Sequence, residues 1–230
     1  LLAATSGFAG SGPDFGSPDV KIINKPEVAV LKGEGTSSLN YGEIWYFFEQ
    51  ELEYPITSIN TDYFKSIDLN QFDVLVMPEG YYSDILNEAG SKKIQDWVKA
   101  GGKLIAIGRA LGNFAGKEGF GLVENKKETD TTNAAKLIPY AQRERESAKN
   151  LITGSIIKTT IDNTHPMAFG YDPVYHSLKL SNSSYAFLKD GYNVGYIEEP
   201  QIVSGFAGSR ATKNLQNSLV FGEERMGRGS

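Results

Sequence analysis

Gly101-Gly102-Lys103-Leu104-Ile105-Ala106-Ile107-Gly108-Arg109-Ala110-Leu111-Gly112 decides how the rest of the chain is read. The two leading glycines end a preceding helix, because a residue without a Cβ enters the left-handed region at no steric cost. Leu104 to Ile107 is an unbroken apolar run, short enough for a strand covered on both faces. Gly108-Arg109-Ala110-Leu111-Gly112 then fits the Gly-x-nucleophile-x-Gly turn between a strand and a helix, which lifts one side chain to the carboxyl edge of a sheet. Ala110 holds the nucleophile position, and alanine has no atom with which to attack a carbonyl.

Working backwards from that strand, the same alternation recurs. Val28-Ala29-Val30-Leu31 is a buried strand announced by Pro26, and Lys32 to Ser38 is the loop after it. A Gly-x-Gly loop there can cradle phosphate, but the full dinucleotide pattern is missing and Glu34 repels phosphate. Tyr41 to Glu53 has the helical spacing of Ile44, Phe47, Phe48 and Leu52, and its aromatic run Trp45-Tyr46-Phe47-Phe48 reads as core packing. Pro55 stops this helix. Ile56 to Asn60 is a second strand, and Asp62 to Ser66 makes one helical turn. Asp73 to Met77 is a third strand that runs into Pro78-Glu79-Gly80-Tyr81-Tyr82. A helix from about Asp84 to Ala100 turns Leu86, Ile94, Trp97 and Val98 inward. Strands alternating with helices imply right-handed βαβ units and a parallel sheet, with function at the carboxyl ends of the strands.

The second half is different. Residues 117–150 form a charged excursion, with a helix of mixed charge from Tyr140 to Asn150 whose plain reading is a solvated face. From Gly154 the pattern is β-rich, with short strands at Ser155 to Ile161, Tyr185 to Leu188, Tyr192 to Ile197, Gln201 to Ser204 and Ser218 to Phe221. Asn163 to Tyr171 is a turn-rich loop. The fold class expected is α/β, a flavodoxin-like three-layer sandwich with a mostly parallel sheet and extra β structure in the C-terminal part. Residues 1–26, small, polar and rich in Gly and Pro, read as a linker, and 27–230 as one domain.

Composition narrows the chemistry. The 230 residues are 40% hydrophobic and 11% aromatic, enough for a core. A formal net charge of −5 gives no basic stripe for nucleic acid. The absence of cysteine removes disulfides, thiolate catalysis and cysteine-bound zinc together. No run of about 18 apolar residues suggests a membrane span. The start lacks both an initiator Met and the basic residues of a signal peptide, and the closing Met226-Gly227-Arg228-Gly229-Ser230 is a turn that ordinarily leads into another strand. The chain therefore reads as a piece of something longer or as a processed product.

The elbow, the strand order and the Pro78-Glu79-Gly80 loop resemble the class I glutamine amidotransferase-like superfamily. That resemblance implies a Cys at the turn, a His and an acid nearby, and an oxyanion hole of backbone amides near a Pro-Gly-Gly-type loop. This chain has Ala110 in place of the Cys and Glu79 in the middle of the loop. Pro26-Glu27-Val28-Ala29-Val30-Leu31, Tyr41 to Leu52, Tyr54-Pro55, and Asp162-Asn163-Thr164-His165-Pro166-Met167-Ala168-Phe169-Gly170-Tyr171 look like the amidotransferase-like domain at the C-terminus of large bacterial M14 zinc carboxypeptidases. The resemblance implies a parent peptidase with zinc in a catalytic domain missing from this chain, that domain as partner, and a periplasmic or secreted location. Neither His165 nor His176 has the His-x-x-Glu spacing of the zinc site.

Glu34, Glu79 and Arg109 are the candidate binding residues at the sheet edge. One reading is a polar pocket in which Arg109 grips a peptide or small carboxylate bidentately. The other, more economical reading is an internal ion pair left where a catalytic site once was, since charged residues at strand ends are common. His165, before Pro166 in a turn, reads as a structural hydrogen-bonding residue rather than a general base. His176 reads as a surface or packing residue. Tyr81, Tyr82, Tyr171 and Tyr175 either line a groove or pack. Ser37, Ser38 and Ser83 sit near strand ends but outside any Gly-x-Ser-x-Gly. The expectation is a non-catalytic accessory domain, with a small-ligand binding module as the alternative.

Overall fold

In the computed structural model of the chain, residues 11–13, 16–20, 24–125 and 137–230 are described. The linker expected at 1–26 falls mostly outside them, and residues 126–136 of the charged excursion wholly so.

Four parallel strands form the first sheet in the order β2-β1-β3-β4: β1 Val28–Lys32, β2 Thr57–Asn60, β3 Val74–Met77 and β4 Lys103–Ala106. This is the flavodoxin-like strand order as far as it runs. The period-two alternation sorts side chains to the two faces. Ala29, Leu31, Leu75 and Met77 pack with Ile94, Trp97 and Val98 of helix α2, Glu88–Ala100. Val28, Val30 and Val76 pack on the other face with Tyr41, Ile44 and Phe48, the first two from helix α1, Ser38–Tyr46. The result is helix, sheet, helix. Burying a residue such as Leu31 or Leu75 fully contributes about 1.5–3 kcal/mol each.

The two helices end differently. At the foot of α2, Gly101 takes φ +125°, its N–H bonds Val98 O at 2.9 Å, and the Gly102 N–H bonds Trp97 O at 3.1 Å. A Cβ on Gly102 would lie 2.2 Å from the Trp97 ring, so this glycine is needed for packing. The α2 start lies at Glu88, later than Asp84, because the Asn87 side chain accepts from Gly90 N and sets the cap there. α1 passes into a π-helical turn, Phe47–Glu51. That wider turn changes the angular phase. Phe47 and Leu52 are therefore half exposed with Trp45 and Tyr46, and of the expected face only Ile44 and Phe48 reach the core, joined by Tyr41.

The second sheet is antiparallel, six-stranded, with order β6-β5-β8-β10-β7 and β9 also on β5. Its strands are β5 Ile152–Ile161, β6 Val174–Lys179, β7 Tyr185–Ala186, β8 Gly191–Ile197, β9 Ile202–Ala207 and β10 Ser218–Glu224. β6 is an addition to the expected strands, because Val174-Tyr175-His176-Ser177-Leu178 is mostly exposed and shows little alternation. α3, Tyr140–Ala148, is a solvated helix as expected, tied to the short α4, Ser209–Lys213, by Glu146 and Arg210 at 3.1 Å. Ile152, Ile157, Ile197, Ala211 and Leu215 make the small core under this sheet.

The halves meet beside β4. Leu111 and Ala115 pack against Leu122, Tyr185, Leu188 and Leu219. Residues 121–125, expected in the excursion, instead follow the β7 edge: Ala186 N bonds Val123 O at 2.9 Å and Asn125 N bonds Ser184 O at 2.9 Å. Glu224 on β10 accepts the Gly121 N–H through both carboxylate oxygens, at 2.7 and 2.9 Å.

Candidate functional site

The carboxyl ends of β1, β3 and β4 lie together, and backbone hydrogen bonds hold their loops. After β1, Gly33 and Gly35 take φ +101° and +80°, turning the chain toward the loop that follows β3. Tyr81 N then bonds Gly35 O at 2.8 Å, Ser37 N bonds Glu79 O at 2.8 Å, and Thr36 bridges Gly80. Ser37 caps α1, its hydroxyl accepting from Asn40 N at 3.3 Å. The cap positions Asn40 so that its Oδ1 accepts from Glu79 N at 2.7 Å.

Across this edge Glu79 meets Arg109, with Nε 2.7 Å from Oε1. The guanidinium lies over the Tyr81 ring, 5.0 Å from its centroid, and donates from a terminal nitrogen to the Tyr81 hydroxyl at 3.3 Å. Gly108 permits this approach: it takes φ +59°, and a Cβ there would lie 3.1 Å from Glu79 Cγ. Two of the three predicted binding residues thus come together. Glu34 does not join them. It sits exposed in the β1 turn, and its carbonyl accepts from Thr61 Oγ1 at 3.0 Å.

The turn after β4 departs from the expected elbow. Gly108–Asn113 is a 3-10 helix, and the residue with positive φ is Gly108 rather than Ala110. A nucleophile elbow strains the nucleophile's own backbone. Here Ala110 is fully buried in the core beneath α2, and its N–H bonds Ile107 O at 3.1 Å. Three amides of this edge are engaged as well. Glu79 N goes to Asn40, Tyr81 N to Gly35 and Ala110 N to Ile107. A preorganised oxyanion hole requires donors aimed at empty space. These three are aimed at protein acceptors.

His165 lies elsewhere, in the loop after β5. Its Nδ1 accepts from Met167 N at 3.3 Å, which leaves Nε2 to carry the proton toward Glu223 Oε2 at 3.6 Å. The ring packs on Tyr192, centroid to centroid 5.0 Å. Asp162, three residues back in the turn, accepts from the Thr164 hydroxyl and amide, which hold its carboxyl below the usual range. No described contact joins His165 to Arg109 or Ala110. His176 is exposed on β6, opposite Lys158. Tyr82 is buried with its hydroxyl donated to Pro78 O at 2.8 Å, and burial raises its pKa. Tyr171 and Tyr175 pair edge-on at 5.6 Å on the surface. Ser38 begins α1, and Ser83 reaches only Asp84 at 3.5 Å.

Sequence reading misses Asn40 and Glu223. The Ser37-x-x-Asn40 spacing after β1 is a visible signal for the first. Glu223 has none, because β10 and the His165 loop are far apart in sequence. Among the described residues, no three of His, Cys, Asp and Glu converge in a way that could hold a metal ion, and no helix is long and apolar enough to cross a membrane.

Fold and edge together define an α/β protein whose strand-end loops are joined by an ion pair and hydrogen bonds. No protein-family model matches the chain, and no curated protein sequence matches it. Among solved structures it is similar to a glutamine amidotransferase from Thermotoga maritima, at 8% identity and a TM-score of 0.45, over 81% of this chain and 74% of that one. It is also similar to a proposed GMP synthase component from Thermoplasma acidophilum, at 11% identity and a TM-score of 0.47, over 84% of this chain and 94% of that one. These are likenesses of fold.

Proposed function

We propose that this chain is a non-catalytic amidotransferase-like domain that serves a larger M14-type zinc carboxypeptidase, packing on or steering substrate to its catalytic domain. In this reading proteolysis and zinc belong to that domain, and the whole works in the periplasm or outside the cell. The peptidase context is supported by the sequence resemblance at Pro26–Leu31 and Asp162–Tyr171. Non-catalysis is supported by one observation above all: the position the resemblance gives to the nucleophile is held by the fully buried Ala110, while the Glu79, Tyr81 and Ala110 amides are bonded to Asn40, Gly35 and Ile107. The native polypeptide containing this sequence, purified from its source, tests the proposal. A mass well above 25.2 kDa with about one bound zinc is expected. A metal-free product near 25.2 kDa, or glutamine hydrolysis by the purified chain, would overturn it.

A second reading rests on Arg109. The side chain is half exposed, and no described acceptor takes its other N–H groups beyond Glu79 and Tyr81. Those groups could grip a small carboxylate. A thermal shift with acetate or a dipeptide, abolished by Arg109→Ala, would support this binding module.

A further inference from the structure

The outer edge of a strand invites pairing unless it is short, bulged or covered. In the antiparallel sheet, β7 has two residues and is flanked by residues 123–125. β9 meets β5 with register shifts and with Gly205 at φ +86°. β6 has none of these features. It matches β5 without a shift from Ser155–Lys179 to Thr160–Val174, six residues long, and ends the sheet. Val174, Tyr175 and Leu178 on it are exposed, as are Phe169 and Tyr171 just before it and Leu180 just after.

The hydrogen-bond phase of β5 fixes which groups of β6 are free. Ile161 N bonds Pro173 O at 2.9 Å, toward β6, while Lys158 N bonds Gln201 O at 3.0 Å, away from it. The odd-numbered residues of β5 therefore bond β6. By the alternation of an antiparallel ladder, Tyr175, Ser177 and Lys179 bond back, and Val174, His176 and Leu178 point their N–H and C=O groups outward. No described backbone group takes those outward groups. The usual guards of an edge are absent too. Pro173 turns its missing N–H toward β5, and the Lys179 ammonium donates to Ser183 O instead of standing on the edge.

We propose that β6 pairs antiparallel with the β6 of a second copy of this chain, about a two-fold axis at His176. The outward residues are their own complement about that centre. His176 faces the partner's His176, and Val174 faces the partner's Leu178, one apolar side chain against another. Each facing pair exchanges two hydrogen bonds, so every outward N–H and C=O of β6 is used. A register slipped by two residues leaves one of the three positions unpaired. The same axis carries Tyr171 of each copy to the end of the ladder where the partner's Leu180 lies, so the exposed apolar residues flanking β6 cover one another. A ladder of this length is small against the roughly 800 Å² per partner of a standard interface, so the dimer is reversible and depends on concentration. The inference does not depend on the function proposed above.

Sedimentation of the 230-residue chain over a concentration series tests the pairing. The mass should climb from 25.2 kDa toward twice that value. His176→Pro removes the central outward N–H, and Leu178→Lys puts a charge on the edge while keeping every backbone group. Each should weaken the dimer at least about tenfold at unchanged thermal stability. The chain has no cysteine, so single cysteines report the register. His176→Cys should cross-link to itself under mild oxidation, because facing Cα atoms lie about 5.5 Å apart, within disulfide reach. Val174→Cys alone should not, since its copy lies four residues along the partner strand, about 14 Å away. Val174→Cys mixed with Leu178→Cys should cross-link. A chain that stays monomeric throughout the series would overturn the proposal. So would a dimer that both edge variants leave intact, or cross-linking of Val174→Cys alone as readily as His176→Cys.

Discussion

The Arg109 guanidinium and the Glu79 carboxylate meet at 2.7 Å, Nε to Oε1, joining the loop after β3 to the turn after β4. Both side chains remain partly exposed, at 48% and 37%, so water screens their attraction. The Tyr81 ring beneath the cation adds a contact of the order of 0.5–1 kcal/mol. Arg109→Ala should therefore lower stability by only about 0.5–2 kcal/mol in urea unfolding. A loss of more than about 3 kcal/mol would show that the pair is a structural keystone of this edge.

Replacing Ala110 by cysteine would put a thiol in the turn after β4. It should confer no glutaminase activity. The position is fully buried, its backbone lies outside the positive-φ region, and the Glu79, Tyr81 and Ala110 amides point at protein acceptors. Ala110→Cys should release no ammonia from glutamine and should react with a thiol reagent far more slowly than an unfolded control. Rapid labelling together with ammonia release would mean that the edge opens in solution.

Helix α3 is held to α4 through Glu146, which accepts from Arg210 and from Lys149. The Lys149 contact, above all, lowers the Glu146 pKa below the ordinary glutamate value of 4.5. A carboxylate with a depressed folded-state pKa contributes stability that is present above its unfolded value and lost as pH falls through the folded one. Glu146→Gln should lower the Tm at pH 7. The gap between variant and parent should narrow once pH drops below about 4.5. A gap that stays constant down to about pH 3 would show that Glu146 acts through packing alone.

At the β1 turn, Gly35 combines φ +80° with a carbonyl, Tyr81 O, only 2.3 Å from where a Cβ would be. Gly35→Ala should cost roughly 1–3 kcal/mol, because the backbone is strained and the bond from Tyr81 N to Gly35 O must lengthen. The urea midpoint reads this directly. A neutral substitution would mean that the two loops separate at little cost.

What the sequence makes legible is whatever is written locally. The apolar runs at Val28, Val74 and Leu104, and the Gly101-Gly102 stop, fall where they are expected to within a few residues. The meeting of Glu79 and Arg109 is readable because parallel topology brings strand ends together. The same logic places Glu34 with them, but the turn at Gly33 and Gly35 leaves it in solvent. The engagement of the amides by Asn40 and Gly35 is out of reach of the sequence, since it depends on loop geometry rather than residue type. β6 escapes as well, because an exposed strand carries no hydrophobic alternation to read.

His165 offers the sharpest separation of structural from chemical roles. Its ring is almost buried, packs on Tyr192, accepts from the Met167 amide and faces Glu223 at 3.6 Å. A histidine–carboxylate pair can serve a general base, but a base needs a reacting proton within reach, and no described serine or threonine hydroxyl contacts this one. What the contacts do supply is a clamp between the 162–171 loop and strands β8 and β10. His165→Ala should cost about 1–3 kcal/mol by leaving the Met167 amide unpaired and a gap against Tyr192. His165→Gln, whose side-chain oxygen can still accept a hydrogen bond, should recover part of that loss. Hydrogen exchange in the 162–171 loop should rise in the Ala variant and rise less in the Gln variant. If both variants fold with unchanged stability and unchanged exchange, the clamp is dispensable, and the His165–Glu223 pair must be explained by chemistry instead.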